Sequence, residues 1–277
     1  MRMSLSRLLS ALAFAVAAHG VEASITCTVS SPGFSAAYSP TGPATNITQT
    51  QFTVTCNRTL VTDPSSVTYT VAADNGLNQQ GTHNRGKSGS SFISYDVFRD
   101  GACGAQWRSG GQSITDSMPL PAVGFFSKST TFWGCVPAGQ TGLPAGTYSD
   151  TVTMTLTGAG TNSNTFPVSI TTPATCTISA APGNIVFNYV AYGPALTPSS
   201  TFGATCTSAL PYTMALDITS GTLLNLSYTL ALSAASSTGT GAQQSFSING
   251  AMAAGQAGTC ASGSCTSTQA VTLTITY

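Results

Sequence analysis

The eight cysteines have the widest chemical scope of any residues in the chain. A thiolate can hold zinc, attack a substrate or pair with a second thiol. Cys27, Cys56, Cys103 and Cys135 lie in the first half; Cys176, Cys206, Cys260 and Cys265 lie in the second. The leading pair of each half has nearly the same spacing, 29 residues for Cys27 to Cys56 and 30 for Cys176 to Cys206. Four cysteines allow three connectivities in each half. The repeated spacing favours Cys27–Cys56, Cys103–Cys135, Cys176–Cys206 and Cys260–Cys265. A metal site is not expected, because no CxxC pair occurs and His83 is remote in sequence from every cysteine.

Other reactive groups are scarce. A Ser-His-Asp arrangement needs a histidine between nucleophile and carboxylate, and beyond His19 near the N-terminus only His83 could serve. Asp96 and Asp100 could pair for glycoside hydrolysis, but on one strand their spacing would hold them about 13 Å apart. No GxSxG, phosphate loop or dinucleotide fingerprint is present. An enzyme is therefore not expected, and neither is a cofactor.

The composition points to an exported β-protein. Arg2 and Arg7 flank an apolar run, LLSALAFAVAA, that ends before Val21-Glu22-Ala23, the pattern of a cleaved secretory signal over residues 1–23. The run is too short to span a bilayer, so no membrane insertion is expected after cleavage, and the oxidising compartment favours paired cysteines. Charged residues are only 6% of the 277, and the eight cations cancel the eight acids. A nucleic-acid surface needs many clustered cations and is not expected. From Thr151 to Tyr277 the only charged side chain is Asp217, which suits surfaces buried in an assembly.

Period-two alternation recurs in both halves. VTYTVAAD (67–74) is matched by PYTMALD (211–217), each ending at a predicted turn, Asn75-Gly76 and Ser220-Gly221. FISYDVFRD (92–100) is matched by LNLSYTLAL (224–232), and the apolar alternation of PAGTYSDTVTMTLTG by that of QAVTLTITY. No helical period is seen after the leader. The pattern predicts an all-β chain of two β-sandwiches in tandem.

The early cysteine pair, the ISYDVFRD strand, FWGCVPAGQ and PAGTYSD occur in an order that resembles the spore coat protein U domain, a family that includes pilins of the archaic chaperone–usher pathway. The second half lacks a PAGTYSD equivalent, which leaves its strand count open. The resemblance implies immunoglobulin-like sandwiches, the second lacking its final strand, completed by the N-terminal extension of a neighbouring pilin. It also implies a periplasmic chaperone and an usher as partners, and a place on a fimbrium at the cell surface or in secreted form. Only Ser24, Ile25 and Thr26 separate the predicted cleavage site from Cys27, too few for a donor strand. Phe166, Val168 and Ile170 alternate before Cys176 and are expected to complete the first domain in cis. The expected divisions are a signal peptide (1–23), an adhesive first domain (24–163), a linker and in-cis donor strand (164–175) and a pilin domain (176–277). With no sequence beyond Tyr277 to close it, the second domain is expected to accept a strand, and a chain that accepts without donating is expected at the fibre tip, mediating attachment or biofilm formation. A structural coat protein with no ligand site is the alternative.

An adhesive surface, whose receptor is not named by the sequence, is sought in the first domain. MPLPAVGFF carries Leu120, Val123, Phe125 and Phe126 beside two prolines, an apolar loop that either faces solvent or covers the core. Trp107 beside a glycine-rich stretch could stack on a sugar or pack inside, whereas Trp133 is expected in the core. NQQGTHNRGKSGSS (78–91) gathers His83, Arg85 and Lys87 with amides and hydroxyls that could recognise a polar ligand, but it reads first as a solvated connector.

Overall fold

The computed structural model describes residues 25–40, 42–260 and 265–277. The expected signal peptide lies outside them. Every regular element in the described residues is a strand, and they bury two separate apolar clusters, one drawn from Cys27 to Ile170 and one from Phe202 to Met252. Both halves are immunoglobulin-like sandwiches. Among the described residues no helix is long and apolar enough to cross a membrane.

Ten strands build the first half: β1 (Thr26–Ser30), β2 (Phe34–Ala37), β3 (Asn46–Arg58), β4 (Ser66–Ala73), β5 (Asn84–Ser88), β6 (Ser91–Phe98), β7 (Ile114–Pro119), β8 (Gly124–Val136), β9 (Gly146–Thr157) and β10 (Asn162–Thr172). One layer runs β1-β3-β8 and the other β5-β9-β10-β2, with β4 beside the far end of β9 and β7 on its edge. Strand β6 joins the layers: Ser91–Tyr95 pair with β5, and Asp96–Phe98 then pair with β8. Pro119 is tolerated because β7 is an edge strand.

The second half contains β11 (Cys176–Ala180), β12 (Ser199–Cys206), β13 (Pro211–Leu216), β14 (Ser220–Leu223), β15 (Leu226–Leu232), β16 (Ser236–Thr238), β17 (Gln243–Met252) and β18 (Leu273–Thr276). They form the layers β11-β12-β17-β15-β14 and β16-β13-β18. Two sequence expectations are corrected here. Ser220-Gly221 opens strand β14 instead of a turn, and the turn falls at Leu224 and Asn225, whose φ angles of 51° and 59° are left-handed. Hydrogen bonding of β14 to β15 outweighs the turn propensity of a Ser-Gly pair. The segment 78–91 is likewise no connector, because Asn84–Ser88 form β5 and pair with β6.

The disulfides repeat between the halves. Cys27 and Cys56 are register partners on β1 and β3, as Cys176 and Cys206 are on β11 and β12. Cys103 is bonded to Cys135 and Cys260 to Cys265. Each of the first three closes a loop of about 30 residues, which restricts the unfolded chain by about 3–4 kcal/mol in the loop-entropy account.

The halves differ at one edge. In the first, β10 lies between β9, antiparallel over Asn162–Thr172, and β2, parallel over Val168–Thr171. Its side chains Phe166, Val168 and Ile170 are buried, and so are Val152, Met154 and Leu156 beneath them on β9. In the second, β18 pairs only with β13 among the described residues, and Val271, Leu273 and Ile275 are only partly buried. One contact made by β2 also recurs in the second half. The Phe34 ring lies against Gly134, where an added Cβ would approach it to 2.5 Å, and Phe187 meets Gly250 in the same way at 2.6 Å.

Phe166 stacks at 7° to Trp107, which is fully buried and donates its indole N–H to the Val71 carbonyl at 2.8 Å. Phe166→Ala is expected to destabilise the first domain by about 3–5 kcal/mol, read as a lower urea midpoint by tryptophan fluorescence.

Candidate functional site

Four of the exposed apolar residues of the first domain, Leu60, Val61, Val123 and Phe125, lie at the end of the sandwich where β3 finishes. Along β3 the inward alternation Phe52, Val54, Cys56 continues to Arg58, so a charged side chain is carried inside, only 6% exposed. Its guanidinium donates to the Leu120 carbonyl at 2.8 Å and to those of Val61 and Asp63, each at 2.6 Å. The Asp63 carboxylate accepts the Leu60 N–H at 2.9 Å. Arg58 therefore fastens the β3–β4 loop to the β7–β8 loop. Leu60 and Val61 on the first loop, Val123 on the second and Phe125 at the start of β8 are exposed, Val61 by 80% and Phe125 by 75%.

The predicted loop is thus divided. Val123 and Phe125 face solvent, Phe126 is partly buried against the core, and Leu120 is fully buried. Leu120 does not belong to the exposed surface: its N–H is held by the Ser65 carbonyl and its C=O by Arg58, which turns the side chain inward. Leu60 and Val61 went unnoticed in the sequence; the available signal was an apolar pair within the turn-forming TLVTDP. Trp107 is fully buried against Phe52, centroids 5.0 Å apart, so it offers no platform for sugar. Trp133 on β8 is half-buried, with its ring edge near Gly101.

The ionisable groups form braces. Asp96, 8% exposed, accepts from His83 Nδ1 at 2.7 Å, Gln106 Nε2 at 3.1 Å, Arg108 at 3.3 Å and the Asn84 N–H at 3.2 Å. Asp150 accepts from the Tyr95 hydroxyl at 2.7 Å and the Leu77 N–H at 3.0 Å; burial, then the nearby Asp150 charge, pushes the Tyr95 hydroxyl far above its ordinary pKa. Asp100 is not on a strand with Asp96: β6 ends at Phe98, and Asp100 accepts the N–H groups of Ala102, Gly104 and Ala105 in the following turn. The His83–Asp96 pair resembles the orienting half of a triad, yet no nucleophilic side chain is hydrogen-bonded to His83 among the described residues. No group of metal-ligating residues occurs there either.

Residues 12–155 match the family model of the Spore Coat Protein U domain, and the chain belongs to that family, one of structural subunits and not of enzymes. No curated protein matches it. Among solved structures it is similar to a chain of the CsuC–CsuE chaperone–tip adhesion subunit pre-assembly complex from archaic chaperone-usher Csu pili of Acinetobacter baumannii: 14% identical, covering 91% of this chain and 100% of that one, TM-score 0.49. It is also similar to the CupB6 tip adhesin of Pseudomonas aeruginosa, 11% identical over 84% of this chain and 89% of that one, TM-score 0.41.

Arg58→Met is expected to leave the buried carbonyls of Leu120 and Asp63 without this donor and to cost about 2–4 kcal/mol. Hydrogen exchange should quicken at 60–63 and 120–123 before the remaining strands. A second expectation concerns Asp116 on β7, whose carboxylate is held below the ordinary range by a 2.7 Å hydrogen bond from Lys128 on β8. Because the folded pKa is depressed, this stabilisation is complete above the unfolded value of about 3.9 and is lost as pH falls through the folded value. Lys128→Gln should return the Asp116 titration, followed by NMR, to the ordinary range. At neutral pH it should cost only about 0.2–1 kcal/mol, since the pair is solvent-accessible.

Proposed function

We propose that this chain is a non-enzymatic adhesive subunit at the tip of a chaperone–usher fibre, exported through the periplasm to the cell surface and serving attachment and biofilm formation. What supports the reading is the free side of β18, which among the described residues pairs only with β13. In the first domain the equivalent position holds β10, and the aliphatic residues of β9 are fully buried; in the second, Val271, Leu273 and Ile275 remain partly exposed. An open ladder edge above a half-covered apolar core calls for an added strand. We assign that strand to an adjacent pilin after assembly, and the protection of the edge before assembly to a periplasmic chaperone, with an usher passing the subunit outward.

On this reading Phe166, Val168 and Ile170 are an in-cis donor, 24–163 is the adhesive domain, 164–175 the donor and linker, and 176–277 the pilin domain. Family membership supports this division, and so does the use of every described strand of the first half within its own sandwich. The adhesive surface is the braced apolar face of Leu60, Val61, Val123 and Phe125, directed at a hydrophobic surface or an apolar partner.

The test is to add synthetic peptides copied from the N-terminal extensions of single-domain relatives to the purified chain. Stabilisation of the second domain alone, by several degrees in thermal unfolding, with new amide protection at Leu273–Thr276, is the expected result. A second domain that is already stable, or a peptide that stabilises both domains, overturns the acceptor assignment. Val61→Ser with Phe125→Ser should leave folding unchanged and reduce retention of the purified chain on polystyrene; unchanged retention would remove the adhesive face.

A further inference from the structure

We propose that the outer face of β5, β6, β9 and β10 is a binding site for an acidic polysaccharide, with the carboxylates of its uronate sugars lying between Arg85 and Lys87. Charge is so sparse in this chain that its distribution is informative. Arg58 is buried on carbonyls, Arg108 pairs with Asp96, Lys128 pairs with Asp116, and Arg99 lies beside Asp100. Among the described residues no carboxylate forms an ion pair with Arg85 or Lys87. These two cations stand two residues apart on β5, on the face opposite the buried Asn84 and Gly86, so they point the same way about 7 Å apart.

Both cations also approach one aromatic ring. The Arg85 guanidinium carbon is 4.3 Å from the Phe92 centroid and the Lys87 ammonium 5.8 Å from it. Arg85 is held in place by three hydrogen bonds, to the carbonyls of Asn78 and Gln79 and to Gln80 Oε1. Two of its five N–H groups are left for a ligand. A guanidinium braced on a ring and on fixed carbonyls loses little freedom when it meets a carboxylate.

The rest of the face bears hydroxyls. Register places Phe92, Lys87, Ser149, Ser169 and Ser35 in one row across five strands, and directly paired residues project from the same face. A row with an aromatic ring and a cation at one end and serine hydroxyls along the rest suits a sugar chain, whose rings stack and whose hydroxyls exchange hydrogen bonds. Two cations are too few for nucleic acid, which needs many phosphate contacts, and for an acidic membrane, which needs a basic cluster.

The test uses the full purified chain with alginate oligosaccharides as the uronate probe, and with dextran sulfate and neutral dextran as comparisons. Alginate should bind, more weakly as salt is raised. K87Q, which changes an exposed residue with no hydrogen bond to lose, should lower affinity several-fold at an unchanged melting temperature. R85Q/K87Q should lower it by about tenfold or more, the scale of two solvent-exposed charge contacts. Absence of alginate binding, equal binding of neutral dextran, full affinity in the double variant, or binding of dextran sulfate without alginate would each overturn the proposal.

Discussion

The ladder between β9 and β10 is the interaction on which the first domain depends. A sandwich keeps its core dry only if every apolar face has an opposing layer and every interior edge has a hydrogen-bonding neighbour. β10 supplies both at once, pairing with β9 along its whole length while Phe166, Val168 and Ile170 enter the core. The burial of Trp107, Phe52 and Phe132 around Phe166 follows from it, because those rings pack upon one another. In the second domain the same residue types on β18 reach only partial burial. Aliphatic side chains with a different neighbour reach a different degree of burial.

Scarce charge is concentrated where loops must be held. Arg58, Asp96 and Asp150 each sit inside and satisfy several backbone or side-chain partners, which turns a desolvation penalty into loop geometry. Outside, hydroxyls and amides take the solvent face, and that leaves Arg85 and Lys87 conspicuous.

Much of this was legible in the sequence, and the failures have physical causes. Alternation located β4, β9, β10 and β13 because each has one dry face and one wetter one. It failed at Ser220-Gly221, where cross-strand hydrogen bonding prevails over turn propensity, and at 84–88, where glycine and charge conceal a strand supported by two neighbours. The fate of Leu120 was not readable, because its inward turn depends on Arg58, 62 residues earlier. One signal was present and passed over: SPGFSAAYSP and APGNIVFNYVAYGP repeat each other, and both place a phenylalanine on a glycine of the facing layer.

The connection between the halves also has a mechanical meaning. β10 ends at Thr172 and β11 begins at Cys176, so tension on the second domain reaches the first by pulling β10 lengthwise. Its eleven register pairs with β9 would then be loaded in shear, sharing the force along the ladder, whereas a hairpin pulled open from one end breaks pair by pair. The Cys176–Cys206 crosslink carries part of that load past β11 into the neighbouring strand β12. The strand that closes the core is thus also the one that such tension would load first.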